Sequence, residues 1–170
     1  EVLPIDEGDL GPVGARRAGR LGVGLLTHNR ESFAIYRDAL IDAGHGAEAA
    51  RMGGVVDFLI AEDPEEMFEQ VLPHRTHQLN SYRLNAAKGS GRTPRMLSED
   101  EVREGRGSGV IQPLRILTPE AAVAEIDAIG DGLPVQHLFV WASIGGMPEH
   151  LVERQLDLLI DRVQPAVAGR

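Results

Sequence analysis

The sequence predicts an α/β fold built on a parallel sheet with helices packed outside it. Short apolar runs alternate with segments whose apolar residues recur at helical spacing. The order is strand, helix, strand, helix, strand, helix, insertion, helix, strand, helix. Polar residues and glycines cluster directly after the strands, at Gly8–Gly14, His28–Asn29, Glu62–Asp63 and Ser143–Gly146. That is the carboxyl end at which α/β sheets and (β/α) barrels bind ligands. Size is the third observation. An eight-unit TIM-type (β/α) barrel needs about 250 residues, whereas this chain of 170 carries four strand–helix units, half a barrel, with an insertion before the last.

The first unit opens on the apolar run Val2–Ile5 and turns at Gly8-Asp9-Leu10-Gly11-Pro12-Val13-Gly14. Pro12 suits a first helical position, where its missing N–H would be unpaired anyway. Gly8, Gly11 and Gly14 let a ligand approach the backbone, and the open amides of a helix start attract an anion such as phosphate. Arg16, Arg17 and Arg20 follow in an otherwise acidic chain. The plainer reading is a tight strand-to-helix turn with Arg16 and Arg17 on a solvated face.

Gly22–Thr27 is an apolar run of the kind buried on both faces of a parallel sheet. It ends in His28-Asn29-Arg30, placed where a strand would emerge. A helix follows over 31–43, stopped by Gly44 and Gly46. Val55–Ala61 is the third strand. Asp63 caps the next helix, with Pro64 at its first position and Glu66 able to complete a capping box. That helix is expected to reach about Tyr82, kinked or split by Pro73. His74 and His77 share a face there, but two imidazoles without a third ligand make a poor zinc site, so no metal is expected. Residues 85–109 lose apolar periodicity and read as an insertion or mobile loop at the ligand face, with a short helix around 98–104. Thr118-Pro119-Glu120 caps and starts another helix, Val135–Ser143 is the last strand, and the closing helix spans 149–163. Its inner side is assigned to Leu151, Val152, Leu156, Leu159, Ile160 and Val163. Trp141 is assigned to packing, and Tyr82 to core packing with the lining of a pocket as the alternative.

Composition narrows the function classes. A net charge of −9 and the absence of a basic stretch argue against nucleic acid and anionic membranes as partners. There is no cysteine, which excludes disulfides, thiolate zinc sites and cysteine nucleophiles. No run approaches the roughly 20 apolar residues of a membrane span, and no signal-peptide pattern opens the chain. A cytoplasmic location is the expectation. The chain begins at Glu1 and is expected to be a processed product or a piece of something longer. No Ser-His-Asp set or paired carboxylates at convincing spacing supports hydrolysis.

Three stretches carry a family likeness. Gly11 to Gly22, Gly-Pro-Val-Gly-Ala-Arg-Arg-Ala-Gly-Arg-Leu-Gly, resembles the phosphate turn and helix of the bacterial luciferase-like flavin-dependent monooxygenases and their deazaflavin-dependent relatives. Val55 to Glu66 resembles that superfamily's seventh barrel strand. Thr118-Pro119-Glu120-Ala121 with Leu138 to Pro148 resembles its eighth-strand unit and closing helix. The likeness implies the C-terminal half of a (β/α)8 barrel using FMN or deazaflavin. The activity it implies is oxidation by reduced flavin and oxygen, or hydride transfer with deazaflavin, on a small organic substrate. On this resemblance Gly11, Val13, Gly14, Ala15 and Arg16 bind the cofactor, His28 is the catalytic candidate, and His28, Asn29 and Ser143 line the substrate pocket. The first four strands are absent, which implies that this is the C-terminal half of a longer protein, or a homo-oligomer, or that a partner supplies the missing half. Two alternatives stand beside it. One is a non-catalytic flavin-binding or structural half-barrel that works by association. The other is an unrelated flavodoxin-like phosphate-binding domain, which needs a fifth strand from Val110–Leu117.

Overall fold

The computed structural model describes residues 6–7, 11–106 and 113–168. The predicted strand Val2–Ile5, the residues Gly8–Leu10 and the stretch 107–112 lie outside them. In chain order the elements are β1 (Asp6–Glu7), α1 (Pro12–Leu21), β2 (Gly24–Leu25), α2 (Arg30–Asp42), β3 (Met52–Val56) and β4 (Leu59–Ile60). There follow α3 (Pro64–Ala87), α4 (Glu99–Arg103), β5 (Ile116–Leu117), α5 (Pro119–Gly130), β6 (Val135–Val140) and α6 (Glu149–Leu158). They form two compact units, Glu1–Val56 with Ala124–Phe139, and Asp57–Val123 with Val140–Arg170.

The first unit holds a four-stranded sheet in the order β1-β2-β3-β6. β1 runs parallel to β2, with Asp6 opposite Gly24, and β2 runs parallel to β3, with Leu25 opposite Met52. Ala15, Ala18, Leu25, Tyr36, Leu40 and Met52 form one core cluster between sheet and helices. α1 meets α2 at Gly19, where a β-carbon would lie 2.5 Å from the Tyr36 carbonyl oxygen. The Tyr36 hydroxyl donates to the Val23 carbonyl at 2.9 Å and accepts from the Arg51 amide at 3.4 Å, which satisfies the polar end of a fully buried ring.

The second unit contains a separate two-stranded parallel sheet, with Leu59 opposite Ile116 and Ile60 opposite Leu117. Leu59, Ala61, Met67, Val71, Ile144, Met147 and Leu151 make one core cluster. Leu72, Leu79, Leu97 and Val102 make another. Asp63 caps α3 by accepting from the Glu65 and Glu66 amides, both at 3.0 Å. Ser98 and Glu101 close a reciprocal capping box on α4. Asn80 bonds both backbone groups of Leu97, at 2.8 and 3.0 Å, and Arg83 donates to the Arg95 carbonyl at 3.0 Å. The segment after α3 is thereby tied back along that helix.

Several sequence expectations change. The run Val55–Ala61 is not one strand: Val55 and Val56 end β3, exposed Asp57 intervenes, and Leu59–Ile60 pair with β5. An apolar run records burial, not which sheet provides it. The run Gly22–Thr27 contributes only Gly24–Leu25 as strand, and Val135–Ser143 stops at Val140. α3 passes through Pro73 as one helix and reaches Ala87. The strand at Ile116–Leu117 belongs to the small sheet, which removes the described part of the fifth strand that a flavodoxin-like sheet requires. In the closing helix Gln155 is buried and Ile160 is 55% exposed. The last α-turns of that helix give way to a π-helical turn, Leu159–Val163, which ends two residues before Pro165.

Candidate functional site

In the first unit a cleft of about 360 Å³ lies at the starts of α1 and α2, lined among others by Gly11, Ala15, Thr27, Asn29, Glu31 and Ser32. Gly11 is the N-cap of α1 with φ +90°, a conformation that favours glycine, and Pro12 is its first helical residue. No side chain caps this helix. Pro12 brings no N–H, so the Val13 and Gly14 amides are the helix-start donors available to an anion. Thus Gly11 and Ala15 of the sequence-derived phosphate turn do meet at a cleft. Gly14 is buried, while Val13 is 67% exposed and Arg16 is exposed. Glu31 opposes an anion in the same cleft by charge.

Asn29 also borders this cleft, but its Oδ1 accepts the Ser32 amide at 2.8 Å and so caps α2. The neighbouring His28 is half-buried, and its Nε2 lies 3.1 Å from the Val55 carbonyl oxygen. A carbonyl only accepts, so Nε2 carries a proton, and in the neutral ring Nδ1 is the acceptor. Ser143 belongs to the second unit and is exposed on the loop after β6.

Sequence reasoning missed two groups. In β3 the pair Gly53-Gly54 makes room for imidazoles: a β-carbon at 53 would collide with the His137 ring, and one at 54 would lie 3.2 Å from His28 Cδ2. A Gly-Gly pair inside an apolar strand was the available signal, since glycine there marks a close approach. The second is Gln155, 1% exposed, whose Nε2 donates to the Trp141 and Ala142 carbonyls at 3.1 and 3.2 Å. A polar residue in a helical pattern gives no sequence signal for this. Trp141 itself is 65% exposed, which overturns its assignment to packing, and Tyr82 is 51% exposed.

In the second unit a cleft of about 190 Å³ is lined by Arg75, Arg103 and Arg106. Two of its three arginines are ion-paired. Arg103 bonds Glu69 and Asp100, and Arg106 bonds Glu101 and Glu104. Among the described residues no three His, Cys, Asp or Glu gather into a metal-binding group. His77 lies 3.4 Å from the Ser81 hydroxyl, and the Nδ1 of His74 lies 3.3 Å from where a β-carbon on Gly146 would sit.

No protein-family model and no curated protein matches the sequence. Solved structures do match. Monooxygenase RslO1 from Streptomyces bottropensis is 24% identical, with 92% of this chain and 46% of that one covered, at a TM-score of 0.54. For apo-MsnO8 the identity is 17%, the coverage 95% and 51%, and the TM-score 0.61. An F420-dependent secondary alcohol dehydrogenase in complex with an F420–acetone adduct is 14% identical, with 99% and 50% covered, at a TM-score of 0.59. The chain shares the fold of the luciferase-like monooxygenases and F420-dependent enzymes. It spans about half the length of the structures it matches. Within that luciferase-like fold, among the described residues, no helix is long and apolar enough to cross a membrane.

Proposed function

We propose that this chain is the C-terminal half of a luciferase-like oxidoreductase that uses FMN or a deazaflavin on a small organic substrate. The observation that carries the reading is chain-wide likeness of fold to monooxygenases and F420-dependent enzymes, over 92–99% of this chain. The four-stranded order β1-β2-β3-β6 supports it as half of a barrel. The flavin or deazaflavin, when bound, supplies the redox chemistry. The chain's own part begins at the α1 start. The Val13 and Gly14 amides receive the cofactor's phosphate, the missing side chain of Gly11 leaves room for it, and Arg16 adds positive charge. His28 is held by the Val55 carbonyl through Nε2, so its Nδ1 accepts a hydrogen bond or proton from substrate. Asn29 is assigned a polar contact to substrate, through the amide nitrogen that its cap leaves unused.

The test is a fluorescence titration of the full chain with FMN and, separately, with deazaflavin. Saturable binding of either at micromolar affinity or tighter is expected, weakened about tenfold by Val13→Glu, which sets a carboxylate beside the phosphate. Unchanged FMN affinity in that variant removes the phosphate turn from the reading. A second reading, a non-catalytic half-barrel acting by association, is favoured by the outer edges of β1 and β6, which pair with no other described strand. It predicts self-association without flavin binding.

A further inference from the structure

We propose that the outer face of α1 is a docking surface for α6 of a second copy of this chain. α1 is packed on one side only. Its buried residues are Gly14, Ala15, Ala18 and Gly19, and the missing side chain of Gly19 lets α2 approach. The other side presents Val13, Arg16, Arg17, Arg20 and Leu21, all exposed, at the spacing of a single helix face. Val13 and Leu21 are 67% and 60% exposed. The face thus sets three guanidinium groups between two large apolar side chains. No acidic residue lies in α1, although the whole chain carries a net charge of −9. Arginine is enriched at protein interfaces, where its fork pairs with carboxylates.

The complement lies on α6. Glu149, Glu153 and Asp157 are exposed and recur every four residues, so they line one face. Asp161 and Ile160, also exposed, follow in the π-helical turn. Val13 to Leu21 and Glu149 to Asp157 are equal spans, about 12 Å of helix each. Many exposed carboxylates elsewhere are already engaged within the chain. Arg103 holds Glu69 and Asp100, Arg106 holds Glu104, and Arg162 holds Glu120. On α6 the bordering Arg154 bonds Glu62. Among the described residues Glu149, Glu153 and Asp161 form no ion pair, and neither do Arg16 and Arg20. Both faces stay exposed within one copy, so each is open to a partner from outside it. Two copies carry like net charge, but at physiological salt the Debye length is about 8 Å. Screening therefore weakens that distant repulsion far more than it weakens charges in contact. Ile160, 55% exposed, adds an apolar contact for the ends of the α1 face.

α1 on α6 joins unlike surfaces, which gives the test its form. Sedimentation equilibrium is run on the full chain in about 0.15 M salt, with folding checked by circular dichroism. Arg17→Glu with Arg20→Glu sets acid against acid, and Glu153→Arg with Asp157→Arg sets base against base. Either double variant alone should lose about tenfold or more in association constant relative to wild type. An equimolar mixture of the two should recover to within about threefold, because opposite charges then meet at every such contact. The single reversals Arg20→Glu and Glu153→Arg, which disturb each helix less, should repeat the pattern with smaller amplitude. A wild-type monomer at all concentrations overturns the proposal, as does a mixture that fails to recover. Reversed variants that associate like wild type also overturn it and leave the sheet edges as the associating surface. No arm of the test uses flavin, so its failure leaves the cofactor reading standing.

Discussion

Val13 and Gly14 adjoin in the first turn of α1 and should answer to the same substitution in opposite ways. Val13 points into solvent, so Val13→Glu adds a carboxylate near the positive helix end, which favours the helix by about 0.3–1 kcal/mol. Its melting temperature should hold or rise slightly while FMN affinity falls. Gly14 is buried, and Gly14→Glu would carry a charge into the core beside Ala15 and Ala18. A large fall in melting temperature is expected there, with any loss of flavin binding following from unfolding. Tyr36→Phe, which strands the Val23 carbonyl and the Arg51 amide, should cost about 1–3 kcal/mol in urea unfolding. Capping residues were the most legible single positions. Asp63 and Thr118 act locally, through amides two or three residues on, and sequence spacing contains that geometry. Gln155 and His137 were illegible because their partners lie far away in the chain.

Among elements, the segment between α3 and α4 depends on few bonds. Asn80→Ala removes both bonds to the Leu97 backbone, and amide exchange over 88–97 should accelerate while α3 stays protected. The same unit should respond to acid. The guanidinium of Arg103 holds the Glu69 carboxyl below its ordinary value. Arg95, and then the Ser98 amide, do the same for Glu101. A lowered folded-state pKa adds stability above the unfolded value and loses it as pH falls through the folded one. The melting temperature should therefore drop as the solution is acidified below the ordinary carboxylate value of 4.5, and Glu69→Gln with Glu101→Gln should flatten that slope. Helices were readable at this scale because their period and caps lie within one segment. Strand partnership was not: nothing local in Val55–Ala61 says that its two ends join different sheets.

For the whole molecule, the alternation of strands and helices was enough to find an α/β fold with parallel strands. The joint order of three moderately specific motifs pointed to the luciferase-like fold. Division into two units was not readable, because each is assembled from two separated stretches of chain. Of the residues named from the sequence, some share a cleft and some do not. Gly11, Ala15 and Asn29 border one cleft, whereas Ser143 falls in the other unit. The half-barrel reading makes a hydrodynamic prediction. A sheet whose outer strands pair with no other described strand offers edges for association, so sedimentation equilibrium on the full chain should show a mass that rises with concentration. A concentration-independent monomer would count against association through those edges.

The π-helical turn at Leu159–Val163 has a consequence for how this chain should be read beside others. Inward positions Leu151, Gln155 and Leu158 follow an α-helical rhythm, whose next step would bring Arg162 inside. Instead Val163 is the buried residue, while Arg162 remains outside and bonds Glu120 at 2.6 Å. One residue has been absorbed without turning the apolar face away from its neighbours. Any residue-by-residue comparison that forbids a gap within a helix will therefore slip by one beyond Leu159. It would pair Val163 with a solvent position and Arg162 with a core position, though the packing had not changed. Removing exposed Ile160 should shorten the chain and keep Val163 in the core.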